Sequence, residues 1–181
     1  MDKQNIEIVW FKRDLRVHDH QPLVQASKYN QVLAIYIFEI ELWRQTDHSY
    51  RHYLFLKEAL KDLEKQLNAI GANLAVFVGS AVDIFEKLYS QYQINNIFSH
   101  QETWNIWTYN RDKAVKSWAR DKNVEWIETP MNGVVRNLSD RNGWSQRWYA
   151  TMSSPLISAP HKIKSVKVRS DNIPDASLLN L

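Results

Sequence analysis

The residue types best suited to chemistry are concentrated in one short stretch, residues 11–20 (FKRDLRVHDH). It contains three cations, two acids and an aromatic ring, but no glycine. A loop that binds phosphate through its backbone needs glycines, because side chains keep the amides away from the anion. The stretch therefore argues against a dinucleotide-binding loop or a P-loop. Its residues Arg13, Asp14 and Arg16 either contact a ligand or form an ion-pair network that holds the loop.

A second group of functional residue types lies at the start of a helical pattern. Glu102 and Asn105 supply a carboxylate and an amide, and Trp104 and Trp107 supply two flat rings. This combination suits a planar heterocycle, because rings stack on its faces and polar groups bind its edge. The helical spacing places Trp107 in the core, so we expect Trp104 to be the ring beside a ligand.

Several kinds of catalytic or metal site are excluded or disfavoured. Cysteine is absent, which excludes disulfides, zinc fingers, iron–sulfur ligation and thiol catalysis. No G-x-S-x-G nucleophile motif occurs. Residues 18–20 (HDH) are adjacent, and adjacent side chains rarely converge on one ion, so we expect no metal site. Nothing in the chain resembles a self-contained catalytic centre, and we expect no catalytic residues.

Five short apolar runs alternate with helical patterns and must position these residues. Strands are predicted at residues 6–11, 32–38, 74–78, 96–99 and 124–127, and helices at residues 22–29, 53–70, 81–92 and 104–122. Near-continuous apolar strands are typical of a parallel sheet that is covered on both faces. The sequence therefore predicts an α/β fold, a doubly wound five-stranded parallel sheet with helices on both faces.

Both groups of functional residues follow predicted strands. Residues 11–20 follow the first strand, Glu39 follows the second, and Glu102 follows the fourth. In an open parallel sheet, ligands bind in the crevice beyond the carboxyl ends of the strands. We therefore expect both groups to face one crevice that holds a flat molecule.

The C-terminal third differs from the rest of the chain. Residues 151–181 contain six serines and three prolines without a clear period. Residues 1–130 carry 16 Lys and Arg against 17 Asp and Glu, whereas residues 131–181 carry 7 against 3. This basic segment is either a solvated linker or a contact for a polyanion. We predict an α/β domain at residues 1–130, followed by an extension and linker at residues 131–181.

The sequence gives no indication of membrane association. No apolar run approaches the ~20 residues that a membrane span requires, and the N-terminus has no signal-peptide core. We therefore expect a soluble cytoplasmic protein.

Residues 8–23 (IVWFKRDLRVHDHQPL) read as a strand, a charged loop and a helix that begins near a proline. This string resembles the opening of the DNA photolyase/cryptochrome family, which has W-F-R-R-D-L-R at the same place. Residues 51–60 (RHYLFLKEAL) resemble the family's R-x-x-F-L-x-x-S-L helix, and residues 74–79 and 110–112 also fit. The similarity covers about residues 5–150.

The resemblance implies an N-terminal α/β domain that binds an antenna chromophore, joined by a long connection to a helical domain. In the family the antenna is a folate, a deazaflavin or a flavin, and the helical domain binds FAD and damaged DNA. By position in the family's motifs, the expected cofactor-binding residues are Phe11, Lys12, Arg13, Asp14, Arg16, Phe38, Arg51, Glu102 and Asn105. FAD and DNA are expected only at the helical domain, to which the linker would lead, so this chain alone is expected to be non-catalytic.

The resemblance is compatible with more than one function. Residues 133–148 depart from the V-F-T-P-F segment of most members and resemble a less-studied bacterial branch of photolyase-like proteins. The chain is then the antenna-type domain of an enzyme that repairs pyrimidine dimers with light, or the same domain of a cryptochrome photoreceptor. A free-standing nucleotide-binding module is the third alternative. The isolated chain is expected as a monomer or a non-native dimer.

Overall fold

The centre of the molecule is a five-stranded sheet in which all strands are parallel. A computed structural model describes residues 3–136 and 138–179, so Asn137 of the divergent segment lies outside the described residues. The strands, in the spatial order β3-β2-β1-β4-β5, are β1 (Asn5–Phe11), β2 (Val32–Phe38), β3 (Leu74–Val78), β4 (Gln93–His100) and β5 (Glu125–Thr129). This is the doubly wound α/β sheet that the sequence predicts.

Helices connect the strands and follow the last one. They are α1 (Gln21–Ala26), α2 (Ile40–Trp43), α3 (Tyr50–Ala69), α4 (Ala81–Gln91), α5 (Ile106–Asp121) and α6 (Trp144–Met152), with a 3₁₀ turn at Ala176–Leu179. Helices α2 and α6 are not predicted from the sequence, because α2 is one turn long and α6 buries no residue. Among the helices of the described ranges, none is long and apolar enough to cross a membrane.

Successive residues of β1 enter two hydrophobic cores, one on each face of the sheet. Val9 packs in the same core as Leu60 of α3. Trp10 packs in the other core, where its ring meets Phe85 of α4 edge-on at 5.1 Å, and Phe85 stacks on Trp118 of α5. Helices therefore cover both faces of the sheet, as the apolar strands indicate.

The buried face of α5 differs from the prediction in its first turns. The spacing predicts Trp107 and Ala114 in the core, but Trp107 is half-buried and Ala114 is exposed. Arg111 and Asp112 are buried instead. Their charged groups point inward because they pair with other charged side chains at the carboxyl edge of the sheet.

Residues 157–179 run back across the domain as an irregular segment that we call the strap. Its apolar residues Ile163 and Val166 are buried, one in each core. The Asp171 amide donates to the carbonyl of Val76 in β3 at 2.8 Å. The strap thereby covers the open edge of β3, an edge that would otherwise be free to pair with another chain.

The charge of the strap lies at the surface. Its four basic residues are all exposed: Lys162, Lys164, Lys167 and Arg169. An extended segment with apolar residues inward and cations outward shows no helical period, which is why its packing is not evident from the sequence.

Candidate functional site

A cavity of about 420 Å³ opens at the carboxyl ends of β1 and β2. Open parallel sheets bind their ligands at this position, and the volume lies in the ~300–1,000 Å³ range of small-molecule sites. The cavity is lined by Trp10, Phe11, Lys12, Arg13, Leu15, Tyr36, Ile37, Glu39, Leu42, Trp43, Asp47, His48, His52, Phe55, Leu56, Glu102, Trp104 and Arg111. No glycine is among these residues.

One wall of the cavity is a series of flat groups in contact, with the rings tilted against one another. The guanidinium carbon of Arg13 lies 4.1 Å from the ring centre of Trp104. The ring of His48 lies between Trp104, at 4.8 Å, and Trp43, at 4.7 Å. Burial lowers the pKa of His48, which favours its neutral form. The wall therefore offers aromatic surface and one cation to a ligand.

Asn105 holds two parts of this wall together. Its Nδ2 donates to Asp47, a lining residue, at 2.9 Å. Its Oδ1 accepts from the Thr108 amide at 2.9 Å and so caps α5. Asn105 therefore acts from behind the cavity, by tying the segment before α3 to the start of α5.

A buried arginine gathers three carboxylates at the floor of the cavity. Arg111 donates from Nη1 to Glu39 at 2.6 Å, from Nε to Asp112 at 2.9 Å, and from Nη2 to Glu102. Only 6% of the Arg111 side chain is exposed, and the guanidinium lies 4.8 Å from the ring centre of Trp10. The floor thus presents fixed carboxylate oxygens and N–H donors beside an aromatic ring.

Burial and pairing act in opposite directions on these charges. Burial raises the pKa of Glu39, and the nearby Arg111 guanidinium opposes that shift. Burial disfavours the charged form of Arg111, but the attraction of Glu39, Glu102 and Asp112 outweighs it and raises the pKa of Arg111. The groups are stable together, because removing one partner would leave a buried charge uncompensated.

Lys12 is buried beside this floor. Its Nζ has no hydrogen-bond partner among the described residues and lies 4.8 Å from the ring centre of Trp10 and 5.7 Å from that of Trp126. Burial lowers the pKa of Lys12, and the Asp112 carboxylate partly opposes the shift. The two tryptophan faces are therefore the direct contacts of its amine.

The loop after β1 is held by a buried carboxylate between two histidines. Asp14 Oδ2 lies 2.6 Å from His100 Nδ1 and 2.9 Å from His20 Nε2, and Oδ1 accepts from the Lys12 amide at 2.8 Å. Burial opposes the ionisation of Asp14, but the hydrogen bonds with His100 and His20 outweigh it and hold the pKa of Asp14 well below its usual range. His20 Nδ1 accepts from the Leu23 amide at 3.1 Å and caps α1.

The same three side chains have the donor atoms of a metal site, within 4.8 Å of one another. The sequence offers only residues 18–20 as a possible metal cluster, because His100 is 86 residues from Asp14 and shares no motif with it. The 2.6 Å separation of Asp14 from His100 is that of a direct hydrogen bond, and the 2.9 Å contact with His20 is also closer than the ~3.3 Å between two ligands of a tetrahedral zinc ion at ~2.0–2.1 Å. This geometry assigns the cluster to holding the loop.

Five of the nine predicted site residues lie at or directly behind the cavity. Phe11, Lys12, Arg13 and Glu102 line it, and Asn105 supports its wall. These residues come from both of the groups that the sequence places at the strand ends.

The other four predicted residues lie outside the lining of the cavity. Asp14 binds the histidines described above, and Arg16 Nη2 donates to the backbone carbonyl of Asp19 at 2.9 Å. Phe38 is fully buried in the core, and Arg51 is exposed at the start of α3. Asp14 and Arg16 thus stabilise the loop, which is one of the two roles that the sequence leaves open.

Some lining residues were not predicted as site residues from the sequence, among them Arg111, Tyr36, Trp43 and His48. Arg111 carried a detectable signal, because a charged residue at an inward position of a helix needs a buried partner. His48 carried none, since it lies in an irregular segment without a motif.

The composition of the cavity fits a flat ring better than a phosphate chain. Its lining holds three cations, Lys12, Arg13 and Arg111, and three carboxylates, Glu39, Asp47 and Glu102. A polyphosphate would gain no net attraction from this set and would meet the carboxylates. A planar heterocycle with donors and acceptors on its edge can stack on the rings and bind the floor.

Solved structures share this architecture. A cryptochrome from Synechocystis sp. PCC6803 superposes with a TM-score of 0.80 at 18% identity, over 98% of this chain and 41% of that chain. An archaeal photolyase from Sulfolobus tokodaii superposes with a TM-score of 0.69 at 18% identity, over 89% of this chain and 38% of that chain. The fold is therefore that of the N-terminal α/β domain of such proteins.

The family follows from the sequence match. The family model described as DNA photolyase matches residues 7–151, and the chain belongs to the DNA photolyase family, which includes the cryptochromes. Cryptochrome-1 of Aedes aegypti is 32% identical over 128 residues. That match covers 67% of this chain and 23% of the relative, so the chain spans about a quarter of the relative's length.

Proposed function

We propose that the cavity binds an antenna chromophore, either a folate, a deazaflavin or a flavin. The observation that carries this proposal is a cavity with aromatic walls and an arginine–carboxylate floor at the carboxyl edge of the sheet. The flat ring system would lie against Trp104 and His48, with its polar edge toward Glu102 and Arg111. When bound, such a group absorbs near-ultraviolet or blue light and passes the excitation to a second flavin.

The comparisons support a flavin as one candidate. The Sulfolobus tokodaii photolyase is described as containing two FAD molecules, with a novel light-harvesting cofactor implied. Folates and deazaflavins have the same features that the cavity would bind, a flat fused ring and an edge of carbonyl and N–H groups.

The organisation of the whole polypeptide is part of the proposal. Residues 1–130 would form the antenna domain, and residues 131–181 would lead to a helical domain that binds FAD and DNA. The complete protein would then use light to split pyrimidine dimers, whereas the α/β domain alone would not be catalytic. A cryptochrome photoreceptor is the second candidate, because the relatives include Cryptochrome-1.

Ligand titration tests the cavity. FMN, 5-deazariboflavin and 5-formyltetrahydrofolate are added to the chain, and binding is followed by quenching of tryptophan fluorescence. Arg13→Ala and Glu102→Ala should weaken the bound probe by about 1–3 kcal/mol each, the effect of losing a charged hydrogen-bond partner. Lys61→Ala, at a position facing away from the cavity on α3, is the matched control. Unchanged affinity in both cavity variants would place the chromophore elsewhere.

Salt dependence separates this proposal from a nucleotide-binding module. The three cations and three carboxylates of the lining balance, so chromophore affinity should change little as added salt screens charges. A module for ATP or AMP should bind these nucleotides with submicromolar affinity, and the affinity should fall as salt increases. That second result would favour the nucleotide alternative.

Lesion counting separates repair from signalling. The complete polypeptide, loaded with reduced FAD, is incubated with ultraviolet-irradiated DNA in light and in darkness. Fewer pyrimidine dimers in the illuminated sample are expected for a photolyase. Equal counts would contradict repair and favour the photoreceptor.

A further inference from the structure

Arg136 connects the segment after β5 to three different elements at the carboxyl edge of the sheet. Its Nη1 donates to both carboxylate oxygens of Glu128 in β5, at 3.0 and 2.9 Å. Its Nη2 donates to the backbone carbonyl of Glu102 at 2.6 Å and to Asp112 in α5 at 3.2 Å. Arg136 itself is not among the residues that line the cavity.

Two of these contacts lead directly to the cavity. The Glu102 side chain lines the cavity and pairs with Arg111, while its backbone carbonyl is the acceptor for Arg136. Asp112 bridges the two arginines, with Oδ1 accepting from Arg111 Nε at 2.9 Å and Oδ2 accepting from Arg136. Arg136 therefore contacts both the loop after β4 and the charged network of the floor. One residue would separate it from a ligand in the cavity.

The surroundings make this guanidinium hard to replace. The side chains of Asp112 and Glu128 are 10% and 18% exposed, so both carboxylates depend on a nearby cation. Burial raises the pKa of Glu128, and Lys12 and Arg136 oppose that shift. Only the planar, permanently charged fork of arginine can bind one carboxylate with two contacts and reach two further acceptors.

We propose that Arg136 is a positioning residue for the chromophore cavity, which it orders by fixing the Glu102 backbone and the Asp112–Arg111 pair. The proposal rests on the chromophore function proposed above. Because Arg136 lies beyond the last strand, it also makes the shape of the cavity depend on the segment that follows the sheet.

Variants of the 181-residue chain test the proposal. Arg136→Met should weaken whichever probe binds the wild-type chain by about 10-fold, the size of one charged hydrogen-bond partner. Arg136→Lys keeps the charge and should recover part of that loss. Arg141→Met is the matched control, because Arg141 is exposed in the same extension, and it should bind like wild type.

Amide hydrogen exchange of the ligand-free chain supplies a second readout. Exchange in residues 101–105 should be faster in Arg136→Met than in wild type, and unchanged in Arg141→Met. If Arg136→Met fails to fold, Glu128→Gln removes only the charge of the carboxylate that accepts from Arg136 Nη1 and should give a smaller change in the same direction.

The two proposals fail in different ways. A folded Arg136→Met chain with wild-type exchange in residues 101–105, or with wild-type affinity, would overturn the role of Arg136. If the wild-type chain binds none of the probes, the chromophore function fails, and exchange in residues 101–105 still decides whether Arg136 orders the loop.

Discussion

Replacing Arg111 should expose the cost of burying two carboxylates without their cation. The Glu39 and Glu102 side chains are 3% and 4% exposed, and both pair with Arg111. Asp112 would keep its contact with Arg136. Removing one partner of a buried ion pair costs about 3–5 kcal/mol, so Arg111→Met should lower the free energy of unfolding by that amount at about pH 8.

The penalty should depend on pH, with a defined sign. Burial already raises the pKa of Glu39, and loss of the guanidinium would raise it further. A carboxyl whose folded pKa is raised stabilises the fold below its unfolded pKa, about 4.3, and loses that contribution as pH rises through the folded value. The penalty of Arg111→Met should therefore be smaller at about pH 5 than at about pH 8, by about 1.4 kcal/mol for each pKa unit titrated between them.

Urea unfolding at both pH values, followed by circular dichroism, measures this penalty. Arg120→Met is the control, since that side chain is 78% exposed on the same helix and should have little effect. A penalty for Arg111→Met below about 1 kcal/mol, or one that is equal at both pH values, would refute the assignment of an uncompensated buried charge.

Three further predictions concern stability. Leu60→Ala should lower the free energy of unfolding in urea by about 2–5 kcal/mol, because Leu60 is buried in the core. Lys61→Ala, at an exposed position, should have almost no effect, and similar values for the two variants would contradict the packing. Asp14→Asn should lower the thermal midpoint at neutral pH, and the difference from wild type should shrink as pH falls below about 3.9. The reason is that a carboxyl with a depressed folded pKa contributes its full stabilisation only above its unfolded pKa. A difference that stays constant with pH would exclude ionised Asp14 as the cause. Ile163→Ala should lower the free energy of local opening of the strap by about 2 kcal/mol, which tryptic cleavage of the strap should report as a faster rate. An unchanged rate would show that Ile163 does not anchor the strap.

The sheet was predictable wherever strands bury apolar residues on both faces, as in β2 and β3. The strand predicted at residues 96–99 misses the start of β4, a polar stretch that contains Asn95 and continues into Asn96. Their amides donate to the buried Glu7 carboxylate at 3.1 and 2.8 Å. A polar strand segment of this kind is stabilised by a residue about ninety positions away, and local periodicity contains no trace of that contact.

The site was predictable to the extent that it follows the strand ends. The doubly wound topology brings Arg13 and Glu102 to one edge, so a motif and a fold class suffice to place them. The pairing of Glu39 with Arg111 spans 72 residues and depends on how α5 rotates about its axis. The rotation of a helix is predicted from the positions of its apolar residues, but in α5 charged residues occupy inward positions.

The residues of the loop after β1 have different roles, which explains why the loop motif identifies the family without identifying the ligand. Asp14 and His20 accept hydrogen bonds from backbone amides, and His100 holds the Asp14 side chain; these contacts take the place of the glycines that other doubly wound folds use there. Asp14 and His20 therefore specify the shape of the loop, whereas Phe11, Lys12 and Arg13 of the same motif line the cavity. Under the proposed chromophore function, further ligand contacts would come from lining residues such as His48 and Glu102, which lie in segments outside this loop. Under the same proposal, this loop shape is compatible with several flat chromophores, and the walls around it would select among them.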